Sequence, residues 1–195
     1  MGGEVMPQPQ ENQYSYADLL EWDENVRYEL YNGLPVSLAS PSSTHQMISG
    51  DLFSQLYSFL KGKGCQVFSA PLDVRLFEKS GDSPENVSTV VQPDLMVVCD
   101  REKIDRHGIC GAPDMIIEIT SNSTYRIDRL TKFNLYQRAG VREYWIVDPS
   151  TRIVSVYVLN NGAYHMQSVY SSDAIIPVGI LDSCKVDLSS VFQGI

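Results

Sequence analysis

The sequence predicts one domain of the α/β or α+β class, in which a mixed β-sheet is flanked by helices and extended by β-hairpins. Short β-branched runs alternate with two segments of helical apolar spacing, and Asn-Gly turns separate two pairs of strand-like runs. The chain has 195 residues, which is enough for one substantial core. We therefore expect one domain over residues 14–195, preceded by a flexible arm over 1–13 that is rich in Gln, Pro and Glu.

The domain is expected to begin with a short helix and a hairpin. Ser15 is a suitable N-cap for a helix over residues 16–24. Asn32-Gly33 then lies between two alternating runs, which predicts a tight hairpin over residues 26–39. Glu29 falls in the first arm of this hairpin, where the alternation favours an outward, solvent-facing position.

A longer amphipathic helix is predicted after Pro41, with an N-cap at residues 42–44 and an end at Gly62 and Gly64. Its apolar residues recur at spacings of three and four: Ile48, Leu52, Leu56, Phe59 and Leu60. His45 lies in its first turn, where the helix dipole lowers the basicity of an imidazole. A packing or capping role is the more common one for such a histidine, and a functional role is the alternative.

The middle of the chain predicts buried strands joined by polar connections. Residues 65–79 read as a strand pair or a strand broken at Pro71, and residues 87–100 as one central strand. Residues 100–112 are a charged connection, and residues 112–121 form a second buried strand.

The rest of the chain predicts a strand–helix–strand crossover and then a hairpin. The helix covers residues 123–139 with a C-cap at Gly140, and the strand after it covers 141–149. Asn161-Gly162 predicts a hairpin over 152–171, and the tail at 174–192 suits an edge strand and a closing turn.

Composition limits the function. No apolar run approaches the length of a membrane span, so we expect a cytoplasmic protein without membrane contact. A net charge of −9 argues against a protein whose main task is to grip long duplex DNA, although it does not exclude a nuclease. The four cysteines are scattered; Cys99 and Cys184, beside apolar runs, resemble buried free thiols, and the spacings do not suit zinc.

Two acids stand inside runs that otherwise predict buried strands. Asp94 precedes Leu-Met-Val-Val, and Glu118 is surrounded by Met115-Ile116-Ile117 and Ile119. An ionised carboxylate in such a position must be paired, hydrogen-bonded or bound to a metal. Asp94 can also be an ordinary loop acid at a strand end. Glu118 can be a metal ligand, or it can form a salt bridge with an arginine. The candidate arginines are Arg75, Arg126 and Arg129.

Lys132 supplies a cation near these acids in the predicted fold. Its plain interpretation is a solvated helix pair with Asp128, four residues before it. Its functional interpretation places the ammonium beside the two carboxylates, where it could orient a water or offset charge on a phosphorane. Lys132 and Tyr136 share a helix face with nearby Leu135, which favours the functional interpretation and makes Tyr136 an auxiliary candidate.

Five blocks of the chain have a specific pattern: YELYNG (28–33), SPSSTH (40–45), VVQPDLMVV (90–98), GAPDMIIEITSNST (111–124) and KFNLYQRAGVREYWIVDP (132–149). Together they strongly resemble the bacterial Uma-type restriction endonuclease family of the PD-(D/E)XK nuclease superfamily. The resemblance spans about residues 14–193. The resemblance implies a restriction-endonuclease-like core and a site for Mg²⁺ or Mn²⁺ where the sheet splits.

The resemblance also implies roles for individual residues. By position, Asp94 matches the superfamily's aspartate and Glu118 matches the acid of its (D/E)-x-K element. The lysine position of that element holds Thr120, and Lys132 on the following helix is the residue assigned in its place. Glu29 resembles an additional metal-binding acid near the chain start. His45 matches the family's helix-start histidine, with no assigned role.

The implied reaction is metal-assisted hydrolysis of nucleic acid, with DNA as the favoured substrate. Asp94, Glu118 and Lys132 are then the catalytic residues. The alternative is a nuclease-fold binding or assembly protein without turnover, which the Thr120 departure and the acidic charge both make credible. We also expect a homodimer or higher homo-oligomer, because the hairpins at 26–39 and 152–171 could pair between subunits.

Overall fold

Two mixed β-sheets and two main helices form the part of the chain that the computed structural model describes: residues 13–23, 25–79, 81–121 and 127–195, without the side chains of 127–129. The predicted arm (1–13) and the start of the predicted crossover helix therefore lie almost entirely outside the described residues. In chain order the elements are α1 (Tyr16–Leu19), β1 (Tyr28–Tyr31), β2 (Leu34–Ser37), α2 (Ser43–Leu60), β3 (Gln66–Ser69), β4 (Val74–Arg75), β5 (Val90–Val91), β6 (Leu95–Val98), β7 (Ile104–Asp105), β8 (Gly108–Cys110), β9 (Met115–Ile119), α3 (Phe133–Ala139), β10 (Glu143–Asp148), β11 (Ile153–Asn160), β12 (Ala163–Tyr170), β13 (Ile175–Pro177), β14 (Lys185–Asp187) and α4 (Leu188–Val191).

The main sheet has the strand order β12-β11-β10-β9-β6-β3. Strands β9 and β10 are parallel, as expected for strands joined by a crossover helix, and the other neighbours are antiparallel. A second sheet has the order β2-β1-β5-β4-β8-β7, and β13 pairs with β14 in a small C-terminal hairpin. The predicted fold class, a mixed sheet flanked by helices with added hairpins, is confirmed.

Both faces of the main sheet are buried, which explains why its central strands are apolar at successive positions. One face packs against α2, with Leu52 and Leu56 next to Ile117 and Trp145 in one cluster. The opposite face packs against α3 and part of the second sheet through a separate cluster: Met96, Ile116, Ile146, Leu135 and Tyr136. The second cluster brings α3 and β1 close to the same end of β9.

The predicted helix and turn signals are present in the structure. Ser42 caps α2 by accepting a hydrogen bond from the His45 backbone N–H at 3.2 Å. Ser15 caps α1, which ends at Leu19 and is therefore shorter than predicted. The Asn-Gly pairs at 32–33 and 161–162 have positive φ at both residues, the conformation that a tight hairpin requires.

The segment predicted as one central strand over residues 87–100 is two strands. It breaks at Gln92-Pro93-Asp94, so that β5 joins the second sheet and β6 joins the main sheet. Proline cannot donate a ladder hydrogen bond, which makes Pro93 a suitable point for the chain to leave one sheet and enter the other. The charged connection at 100–112 also differs from its prediction, because it contains the short strands β7 and β8.

The crossover segment reaches α3 through a π-helical turn over Ile127–Lys132. Helix α3 ends, as predicted, at Gly140, which has φ 90° and adopts the left-handed conformation of a helix C-cap. π-Helical turns are rare in proteins as a whole, and those that occur are often found at functional sites. Lys132 is the last residue of the π-helical turn, directly before α3.

The prediction of a free thiol at Cys99 is wrong. Cys65 and Cys99 form a disulfide, because the antiparallel register of β3 and β6 pairs Gln66 with Val98 and so places the two cysteines opposite each other. Cys184 is free and buried, as predicted. The cytoplasmic location stays a prediction. Across the part of the chain described, no helix has the length and apolar character to cross a membrane.

Candidate active site

Glu118 lies in β9, between β10 and β6, and only 3% of it is exposed. Its Oε1 atom accepts a hydrogen bond from the Lys132 ammonium at 2.9 Å and another from the Tyr136 hydroxyl at 2.6 Å. Both donors come from the crossover segment, one from the end of the π-helical turn and the other from α3. The charge of this buried carboxylate is therefore paired and hydrogen-bonded, which satisfies the requirement for burying it.

Lys132 is 5% exposed and contacts two carboxylates. Besides Glu118, its Nζ atom lies 3.1 Å from Oε1 of Glu29 in β1. The arginine alternative for Glu118 is wrong for Arg75, whose guanidinium instead binds Glu78 and Asp105. The side chains of the other two candidates, at 126 and 129, lie outside the described residues, as does that of Asp128.

Glu29 is 1% exposed, so the expected outward position in the first hairpin is wrong. Its Oε1 atom accepts a hydrogen bond from the Gln92 backbone N–H at 2.8 Å, and its Oε2 atom accepts one from the Tyr31 hydroxyl. Both of its oxygen atoms are thus engaged by protein donors. This arrangement favours a role in holding Lys132 over the metal-ligand role that the family resemblance implied.

The two tyrosines that donate to these glutamates remain protonated over the whole physiological pH range. Burial, followed by the negative charges of Glu118 and Glu29, raises the pKa of Tyr136 well above its ordinary value. Burial also raises the pKa of Tyr31, and there Lys132 opposes the effect while Glu29 adds to it. Both hydroxyls are therefore permanent hydrogen-bond donors to the carboxylates.

Asp94 stands one residue before β6, at the point where the chain enters the main sheet. Because the register pairs Leu95 with Ile117, Asp94 comes opposite Glu118 when the register is continued by one residue. Its Oδ2 atom accepts a hydrogen bond from the Ile119 backbone N–H at 2.8 Å and lies 3.0 Å from Nε2 of His45. Asp94 is thus hydrogen-bonded to the backbone of Ile119, the residue after Glu118.

One open cavity of about 1140 Å³ connects these residues to the protein surface. Asp94, Glu118 and Lys132 all line it, together with His45. Tyr136 and Glu29 do not line it; each contacts Glu118 or Lys132 from the protein interior. The sequence-predicted residues therefore divide into a group that faces the cavity and a group that supports it.

The acids that face the cavity suit a hard divalent cation. Among the described residues there is no group of three or more His, Cys, Asp or Glu side chains that could hold a metal ion. Mg²⁺, however, is commonly held by one or two carboxylates and completes its shell with waters and substrate phosphates. Asp94 and Glu118, on adjacent strands and in the wall of one cavity, fit that kind of site.

Thr120 occupies the motif position where the superfamily has a lysine, and it does not replace that lysine chemically. It is buried, and its hydroxyl donates to the Val147 carbonyl in β10 at 3.2 Å. Lys132, fourteen residues after Glu118, supplies a cation beside that carboxylate.

Sequence reasoning missed Tyr31 and Gln92 as parts of the site. Tyr31 lies two residues after Glu29 and so on the same face of β1, a spacing that could have marked the two as a pair. Gln92 contributes its backbone N–H, which leaves no signal in the sequence, and its side chain also lines the cavity.

Comparisons with known proteins agree with the resemblance found in the sequence. The sequence model of the Uma2 family, described as "Putative restriction endonuclease", matches residues 16–187. The uncharacterized protein slr1290 of Synechocystis sp. is 24% identical over 185 residues, which are 93% of this chain and 92% of that protein. A crystal structure described as "a putative nuclease belonging to DUF820" from Anabaena variabilis matches with a TM-score of 0.70 and 20% identity, over 91% of this chain and 97% of the other. This last likeness shows a shared fold.

Proposed function

The chain belongs to the Uma2 restriction endonuclease family, and on that premise we propose that it is a metal-dependent endonuclease. It hydrolyses phosphodiester bonds of nucleic acid, and DNA is the favoured substrate. Family membership supports nuclease chemistry in general, whereas the metal and the substrate are inferred from the site.

The observation that carries the proposal is the meeting of three charged side chains at one end of the main sheet. Lys132 Nζ lies 2.9 Å from Glu118, and Asp94 bonds the backbone of the next residue, Ile119. All three charged groups open onto the same cavity. Two carboxylates that bind a metal cation, with an ammonium group beside them, are suited to the hydrolysis of a phosphodiester.

Asp94 and Glu118 are the residues that would hold the cation, which we propose to be Mg²⁺ or Mn²⁺. When bound, such an ion polarises a phosphoryl oxygen and stabilises the negative charge of the departing oxygen. For Glu29 we propose a role in holding Lys132 in place of the ligand role that the resemblance implied, which its contacts with Tyr31, Gln92 and Lys132 support.

The protein's own residues then orient the reactants. Lys132 faces the cavity, where its ammonium can direct an attacking water toward phosphorus and offset charge on the phosphorane. Hydrolysis forms one P–O bond from water and breaks one P–O ester bond, leaving a phosphate monoester and a hydroxyl group. Glu29 and Tyr136 keep the Lys132–Glu118 pair in place, because fixed donors and acceptors lower the cost of organising the site.

The proposal is tested by incubating the purified protein with duplex DNA, single-stranded DNA and RNA. We expect cleavage with Mg²⁺ or Mn²⁺ and none in excess EDTA, with activity restored when the metal is returned. A protein that cuts none of the three substrates with any divalent metal would contradict the proposed function, while the fold assignment would stand.

An inactive binding or assembly protein is the alternative, and two observations favour it. Thr120 replaces the motif lysine, and β12, the outer strand of the main sheet, has neither lysine nor proline to block pairing with another chain. Pairing of this edge in a homodimer would give a native mass of about twice 21.8 kDa that is independent of metal. A monomeric mass across a wide concentration range would contradict assembly through this edge.

A further inference from the structure

His45 is the one cavity-facing candidate to which neither the family resemblance nor the proposed reaction gives a role. It lies in the first turn of α2, and its side chain is 15% exposed. The capping contact in this turn is made by its backbone N–H, which donates to the Ser42 hydroxyl at 3.2 Å. Any residue could supply that N–H, so capping does not explain the imidazole.

The imidazole reaches from α2 to the end of the main sheet and contacts Asp94. The distance from Nε2 of His45 to Oδ2 of Asp94 is 3.0 Å. An ionised carboxylate only accepts hydrogen bonds, and from the distance we infer that Nε2 carries a hydrogen.

The same Asp94 oxygen accepts the Ile119 backbone N–H at 2.8 Å. Oδ2 thus accepts a hydrogen bond from β9 and lies against the imidazole of His45 from α2. The structure gives Oδ1 no hydrogen bond to any described residue, and the Asp94 side chain lines the cavity and is 19% exposed. One oxygen is held by the protein while the other is left for a ligand.

The other ring nitrogen of His45, Nδ1, makes no contact within the described part of the chain that competes with the one between Nε2 and Asp94. Nδ1 of His45 is buried and makes no hydrogen bond to the described residues. Buried polar atoms without a partner are uncommon in proteins. The contact of Nε2 with Asp94 is therefore the polar contact that the structure gives the imidazole among the described residues.

We propose that His45 is a positioning residue, which together with the Ile119 N–H holds Oδ2 of Asp94 so that Oδ1 is presented to the divalent cation. This inference rests on the proposed function, because it assumes that Asp94 binds a cation. Hydrogen bonds that orient a metal-binding group typically change metal affinity by about 10- to 100-fold when they are removed.

The test is calorimetric titration of Mn²⁺ and Mg²⁺ into the wild-type protein and four variants, without nucleic acid. His45→Gln keeps an N–H donor near the position of Nε2, whereas His45→Asn has the same amide on a shorter side chain and His45→Ala has no donor. We expect His45→Ala and His45→Asn to bind Mn²⁺ about 10-fold or more weakly, with His45→Gln close to wild type. His165→Asn, on the exposed face of β12, is the matched control and should bind as the wild type does.

The outcomes separate this inference from the proposed function. Wild-type affinity in both His45→Ala and His45→Asn would overturn the positioning role and leave the metal site intact. Equal weakening in His45→Gln and His45→Ala would also overturn it, because a retained donor would have made no difference. If the wild-type protein binds neither cation in the absence of nucleic acid, the positioning role is overturned, and the cleavage assay decides the proposed function separately. Thermal unfolding of each variant shows whether the compared proteins are folded.

Discussion

Replacing Asp94 or Glu118 with alanine is expected to abolish metal-dependent cleavage while the fold persists. Each change removes a carboxylate that faces the cavity, and with it one of the two groups proposed to hold the cation. Removal of a single electrostatic group from an active site costs on the order of 10²–10³ in turnover, and removal of a metal ligand should cost at least as much. The measurement is the initial rate of cleavage at saturating Mg²⁺ or Mn²⁺.

The amide variants make this test stricter. Glu118→Gln can still accept hydrogen bonds from Lys132 and Tyr136, and Asp94→Asn can still accept the Ile119 N–H. Their shapes and most of their contacts are kept, so a lost rate reports the lost charge. Melting temperatures close to that of the wild type would show that the fold is intact.

Glu143 offers a matched control for Glu118. It is a buried glutamate on the adjacent parallel strand, but its oxygens accept hydrogen bonds from the Trp145 indole and the Ile180 backbone N–H, away from the cavity. We expect Glu143→Gln to retain cleavage. Full activity in Asp94→Ala or Glu118→Ala, or equal loss in Glu143→Gln, would contradict the assignment of the metal ligands.

Glu143 also shows how far a sequence pattern can identify a site. An acid in an apolar run indicates a carboxylate that the fold must satisfy, and Glu118 and Glu143 both meet that description. Only the three-dimensional structure separates them, because one faces a cavity beside a lysine and the other is satisfied by neutral donors. In the sequence, the apolar residues around Glu118 marked it as a carboxylate that must be satisfied, and the family resemblance assigned it to the metal.

The sequence was most informative where local rules determine the structure. The Asn-Gly hairpins, the cap and periodicity of α2 and the C-cap at Gly140 depend on residues close in the chain, and the structure contains each of them. The burial of Glu29 could not be predicted in this way. It depends on β1 joining a second sheet that packs beside α3, a consequence of the chain leaving one sheet for the other at Pro93.

The Cys65–Cys99 disulfide is missing from the prediction for a similar reason. The two residues are 34 positions apart, and nothing local indicates that β3 and β6 are neighbours. For Lys132 the sequence left two interpretations, a solvated pair with Asp128 and a cation beside the carboxylates, and the helix face shared with Leu135 favoured the second. The family resemblance then assigned Lys132 in place of the motif lysine.

Lys132→Met is expected to abolish cleavage and also to destabilise the fold. The variant keeps most of the aliphatic side chain but leaves Glu29 and Glu118 together in the interior without the ammonium that lies 3.1 and 2.9 Å from them. Breaking a buried ion pair by removing one partner typically costs about 3–5 kcal/mol in the free energy of unfolding. For a chain of this size, that corresponds to a fall of about 6–20 °C in melting temperature.

A second substitution separates the structural role of Lys132 from its catalytic one. Glu29→Gln in the Lys132→Met background removes one of the two carboxylate charges that lose the Lys132 ammonium, and Gln can still accept hydrogen bonds from Tyr31 and Gln92. We expect this double variant to regain part of the lost stability and none of the lost cleavage, because no ammonium faces the cavity. Lys61→Met, at the exposed end of α2, should change neither property.

The double variant also decides between two interpretations of the lysine. If the stabilised protein recovers cleavage, the ammonium of Lys132 serves only as a counter-ion that permits two glutamates to be buried together, and water must be oriented by another group in the cavity wall. If stability returns without cleavage, the ammonium acts on the substrate. The geometry favours the second result, since Lys132 contacts both buried carboxylates and still lines the cavity, whereas a purely structural counter-ion would need no access to it.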